Sequence, residues 1–117
     1  MAEILRCEDR WGRSIVLHDD TWYEKILMDH GEVPNDPAIL GQVLRDPDRV
    51  NFDAKHASGE NFYRQGLLQH TRRHRYLKVV VRFEQAIGES EGTIVSAYGT
   101  AHYQSTGERR RWGTRGN

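Results

Sequence analysis

The chain has 117 residues, 37% hydrophobic and 29% charged, with 17 Lys/Arg against 17 Asp/Glu; that length suits one domain with a thin core, and its three Trp, five Tyr and three Phe argue against a disordered chain. No apolar run approaches the roughly 20 residues of a membrane span, and the N-terminus MAEILRCEDR lacks the basic-then-apolar order of a secretory signal. Cys7 is the only cysteine, which excludes an internal disulfide and a cysteine-based metal site, so a soluble, cytoplasmic protein is expected.

In chain order, residues 2–7 (AEILRC) and 13–18 (RSIVLH) read as a hairpin turned through EDRWG, with Gly12 in the tight turn. Residues 21–24 (TWYE) have capping-box spacing and predict a helix through about His30, ended by Gly31. Its apolar side is Trp22, Ile26 and His30. Asp36 followed by Pro37 opens a second helix with Ile39, Leu40, Val43 and Leu44 on one face, limited by Pro47. Strands are then expected at 49–53, 61–65, 76–83 (YLKVVVRF) and 93–100 (TIVSAYGT), the last pair turning between Gly88 and Gly92. Residues 1–107 are expected to form a single domain and 108–117 a basic, partly mobile tail, with Trp112 as its one anchor.

This order predicts an α+β fold, with two helices in the N-terminal half packed on one face of a twisted antiparallel sheet. On strand 76–83, Leu77, Val79, Val81 and Phe83 make the row facing the helices, whereas Tyr76, Lys78, Val80 and Arg82 point away. With Val95 and Ala97 placed under the helices, Ser96, Tyr98 and Thr100 lie beside Lys78 and Arg82. The expected open face carries cations, hydroxyls and a phenol, with the basic run HTRRHR (70–75) at its rim.

The zero net charge is unevenly spread: residues 1–59 hold 7 Lys/Arg against 12 Asp/Glu, whereas residues 60–117 hold 10 against 5. A cationic half suits an anionic partner such as RNA or DNA, with Lys and Arg on phosphate and Tyr stacked on an unpaired base. RNA cleavage without metal asks for a base, an acid and positive charge aimed at the phosphorane, because the attacking group is the RNA's own 2′-hydroxyl. Arg64, Lys78 and Arg82 are the candidates for that charge, Tyr98 and His30 for proton transfer, and Thr100 for an orienting hydroxyl. Arg72, Arg73 and Arg75 are candidate RNA-binding residues, and no metal or cofactor is expected. Plainer roles compete: His30 at a helix C-terminus suits the helix dipole, Tyr is common on half-buried sheets, and each cation alone reads as a solvated residue.

The run DTWYEKILMDHGE from residue 20, ILGQVLRDPDRV from 39, YLKVVVRF from 76 and TIVSAYGT from 93 together resemble a family of small bacterial and phage-borne domains. That family is grouped with the barnase, EndoU, colicin tRNase and RelE-like ribonuclease fold, and the likeness covers about residues 4–112. It implies two helices on an antiparallel sheet, a cleft on the exposed sheet face and a toxin-type ribonuclease, with a cognate antitoxin protein as possible partner. His30 matches the family's histidine closing the first helix, and Tyr98 its tyrosine in a late strand. Gly31 stands where a proline is common and Ser96 where a threonine is common. The rival expectation is a non-enzymatic interaction module, using the sheet face or an edge strand to bind a protein.

Overall fold

The structure is a computed structural model that describes residues 1–68, 73–86 and 89–113. Its strands are β1 (Glu3–Glu8), β2 (Ser14–His18), β3 (Arg49–Phe52), β4 (Gly59–Gln65), β5 (Tyr76–Ala86), β6 (Glu89–Thr100) and β7 (Arg109–Gly113). They form one sheet in the order β1-β2-β6-β5-β4-β3-β7. Between β2 and β3 lie two helices. The first is π-helical over Thr21–Ile26 and α-helical over Leu27–Asp29 (α1), and the second, α2, spans Ala38–Arg45. No helix among the described residues is long and apolar enough to cross a membrane.

The α+β class and the helix positions follow the hydrophobic periodicity. Trp22 and Ile26 from the first helix, and Leu40, Val43 and Leu44 from α2, are buried in one cluster with Ile15, Leu17, Val50, Phe62, Leu77, Val79, Val81 and Ala97 of the sheet. Asp36 caps α2 as expected, its carboxylate accepting from the Ala38 N–H at 3.0 Å. The first helix departs from the capping box: Asp20, not Thr21, supplies the side-chain cap, accepting from the Thr21 N–H at 3.0 Å. Its π-turn rotates the chain less per residue than an α-turn; such turns recur at functional sites.

Three features correct the sequence expectation. The sheet is mixed, because β2 pairs with β6 in parallel, Ile15 opposite Gly92 and Val16 opposite Thr93. The chain leaves β2 into the helices, and the β5–β6 hairpin then sets the direction of β6 by its own turn. Second, the register of β6 shifts between Val80 and Val81 of β5. Ser96 is opposite Val80 and Ile94 opposite Val81, so Val95 is the extra residue of a bulge. Ile94, fully buried, takes the core position expected for Val95. Third, Arg109–Gly113 is not a mobile tail but strand β7, paired antiparallel with β3.

The topology dictates what covers each face. The β2–β3 connection must pass over β6, β5 and β4, and its helices occupy one face. The connection from β6 to β7 must pass over β5, β4 and β3, so residues 101–108 cross the other. Eight residues extended at about 3.3 Å each reach across four strand spacings of about 4.8 Å.

At the helix side a clasp joins the sheet's ends. Asp9 in the β1–β2 turn accepts from the Trp11 and Arg13 N–H groups, both at 2.9 Å, and from Arg13 Nε at 2.7 Å. Glu60 on β4 then bridges Arg13 (2.7 Å) and Arg111 of β7 (3.0 Å), while Arg10 stacks 3.7 Å over the Trp112 ring. Gly113 closes β7 with φ of 101°, and a Cβ there would lie 2.3 Å from the Asp48 carbonyl oxygen. Gly113→Ala is therefore expected to cost about 1–3 kcal/mol from backbone strain alone, read as a lower midpoint in urea denaturation; an unchanged midpoint would show that β7 does not hold this conformation in solution.

Candidate functional site

On the face away from the helices, register places Arg49, Tyr63, Lys78 and Tyr98 in one row across β3, β4, β5 and β6. Asn51, Asn61, Val80 and Ser96 form the next row. The expected neighbours Lys78 and Tyr98 thus meet, the ammonium 5.3 Å from the Tyr98 ring centroid. Thr100 and Tyr76 form the row beyond them.

This face is not an open cationic groove. Lys78 is only 4% exposed, and Glu108 from the crossing segment, 5% exposed, lies 2.9 Å from its Nζ. The same carboxylate accepts from Tyr63 Oη (2.6 Å), Asn51 Nδ2 (2.9 Å) and Asn61 Nδ2 (2.8 Å). Four donors therefore converge on one internal anion. Burial works against charge on both partners, but these hydrogen bonds prevail: Glu108 titrates below its ordinary value of 4.5, and Lys78 above its ordinary 10.5. Burial, followed by the bond to Glu108, also pushes Tyr63 above its usual 10.0.

The signs of these shifts set a pH window for stability. The depressed Glu108 contributes stability above 4.5 that is lost as pH falls through its folded value. The raised Lys78 and Tyr63 contribute below 10.5 and 10.0, and that share is lost as pH rises through their folded values. A plot of melting temperature against pH should be flat between these limits, and Glu108→Gln should blunt the acid fall. An acid limb identical in the two proteins would assign the fall to other carboxylates.

The remaining expected residues divide. His30, the C-cap of α1, packs its ring at 5.3 Å and 31° against Tyr98. It is placed there because β2 pairs with β6 only near Gly92 and Thr93, leaving the far end of β6 without a strand neighbour on that side. Glu32 caps that edge, accepting from the Gly99 N–H at 2.9 Å, and sits 3.7 Å from His30 Nδ1. A side chain at Gly99 would meet His74 Nδ1 at 2.8 Å, so only glycine admits this approach. Thr100 donates to the His102 carbonyl at 2.6 Å and so orients the crossing segment.

Arg82 lies on the outer face but along β5 from this cluster, 2.9 Å from His56 Nε2. Arg64 is on the wrong face: it is opposite Leu77 of the core row and donates to the Asp46 carbonyl and carboxylate at 2.9 and 2.8 Å, at the end of α2. The sequence of β4 alone does not encode this side, because register with β5 decides it. Arg73 and Arg75 are exposed at the rim, as expected, and Arg72 lies outside the described residues.

A cavity of about 700 Å³ opens at this end of the sheet, lined by Arg73, Arg75, Tyr76, Ala101, His102, Tyr103 and Gln104. Its wall is firmly held: Arg49 stacks 4.9 Å from the Tyr103 ring, Tyr76 meets that ring edge-on at 5.7 Å, and Gln104 donates to the Glu108 carbonyl at 2.9 Å. Neither a family model, nor a curated protein, nor a solved structure matches the chain.

Sequence reasoning missed Glu108, Asn51, Asn61 and the cavity wall. One signal existed for the first three: Asn is depleted in strands, yet Asn51 and Asn61 fall in expected strands, and Glu108 is the one acid in residues 101–117.

Proposed function

We propose that the chain binds and cleaves RNA at the end of the outer sheet face, as a small ribonuclease of the toxin type that its motifs resemble. The observation that carries this reading is Tyr98, half-buried between the Lys78 ammonium and the His30 ring, both 5.3 Å away, one row along the outer face from Tyr76, which lines a cavity with Arg73 and Arg75. Two proton-carrying side chains and a fixed cation then lie one row from a surface suited to phosphate, the inventory that attack by a 2′-hydroxyl requires.

The residue roles differ from those read from the sequence. Lys78 is covered, so it acts through the adjoining Tyr98 ring rather than on phosphate. Contact with the polyanion falls to Arg73 and Arg75, and proton transfer to Tyr98 and His30. Arg64 has no part, and Arg82 only a distant one. The test is incubation of the purified chain with total RNA in EDTA, beside Tyr98→Phe. Cleavage by the parent supports the reading; neither cleavage nor retention of RNA would favour a protein-interaction module instead.

A further inference from the structure

We infer that the cavity between residues 73–76 and 101–104 is a subsite for one unpaired nucleotide, its base against Tyr76 and Tyr103 and its phosphate on Arg73 and Arg75. The inference rests on the RNA reading above and narrows it to single strands. Its volume, about 700 Å³, lies within the roughly 300–1,000 Å³ of small-molecule sites. The chemistry of the lining is divided as a nucleotide is: two exposed guanidiniums on the loop before β5, and an aromatic pair from β5 and the crossing segment. Guanidinium forks match phosphate oxygens, and a base gains from stacking only where its faces are free, which a duplex denies.

The aromatic wall is also preorganised. Tyr103 is held by Arg49 and Tyr76, and Gln104 by Arg49 and the backbone of Glu108, whose side chain is tied into the Lys78 network. Little ordering is left for the ligand to impose. The buried Glu108 cluster thus serves the cavity indirectly: it fixes the segment from which half the lining comes. His102 adds a polar side chain to the lining, whereas the Gln104 amide is engaged by Arg49 and the Glu108 carbonyl.

Amide spectra of the labelled protein, titrated with inorganic phosphate, uridine, uridine 3′-monophosphate and a ten-residue single-stranded DNA, test this. The nucleotide should shift amides of residues 73–76 and 101–104 and bind at least about ten-fold tighter than phosphate or uridine alone. Tyr103→Leu and Arg75→Ala should each weaken it about ten-fold; Arg75 is exposed, so its variant reports even if Tyr103→Leu perturbs the wall. The single strand should compete and its annealed duplex should not. Equal affinity for phosphate and nucleotide, shifts elsewhere, or equal competition by the duplex would overturn the subsite. A nucleotide that binds while the single strand fails to compete would point to a free nucleotide and remove the RNA part. Nucleotide binding with intact RNA in EDTA would remove the cleavage reading alone, and cleavage without nucleotide binding would remove the subsite alone.

Discussion

Glu108→Ala is expected to destabilise the protein by about 3–5 kcal/mol, because removing one partner of a buried pair leaves the other charge uncompensated. The partner here is Lys78, covered and 2.9 Å away, and the same change strips an acceptor from Tyr63, Asn51 and Asn61. Lys78→Ala should cost a similar amount for the converse reason. Such a loss is a large part of the about 5–15 kcal/mol that holds a typical domain together. A double change, Lys78→Met with Glu108→Leu, should recover the share due to the orphaned charge, while Tyr63, Asn51 and Asn61 still lack their acceptor. Urea denaturation of the parent, Lys78→Met, Glu108→Leu and the double variant closes the cycle. A single change costing under about 1 kcal/mol would mean that water reaches the pair and that residues 101–108 do not lie shut over the sheet.

Tyr98→Phe is the variant that bears most on chemistry. It keeps the ring packed against His30 and removes only the hydroxyl, so stability should fall little while RNA cleavage drops about 10²–10⁴-fold, the usual share of a general acid or base. Arg64→Ala is the matched control, because that side chain faces the helices and ends on Asp46. Rates in EDTA, with circular dichroism to verify folding, would decide. Equal rates for the parent and Tyr98→Phe would remove the phenol from the reaction and leave His30 without its neighbour's help.

The two variants read different layers of one arrangement. The Glu108 network holds the segment that walls the cavity, whereas Tyr98 stands one row away from that lining. A loss of activity in Glu108→Ala would therefore come through folding, and a loss in Tyr98→Phe would come without it. Comparing melting and cleavage for both separates support from chemistry.

The sequence by itself determined the α+β class, both helices, six of the seven strands and the shared face of Lys78 and Tyr98. All of these depend on local periodicity, caps and turns: alternation along residues 76–83 tells which side chains share a face, and Asp36 with Pro37 marks a helix start whatever lies around it. The His30–Tyr98 contact, the bulge at Val95 and the side taken by Arg64 depended on register between strands, which no single strand encodes. The closing of the outer face was decided only by the tertiary structure. Residues 108–117 look like a basic tail because their cations dominate the composition, and only the place of β7 beyond β3 forces residues 101–108 across the sheet. A lone glutamate then finds Lys78 and three further donors that are distant in sequence, and a buried anion is stable only where such donors converge.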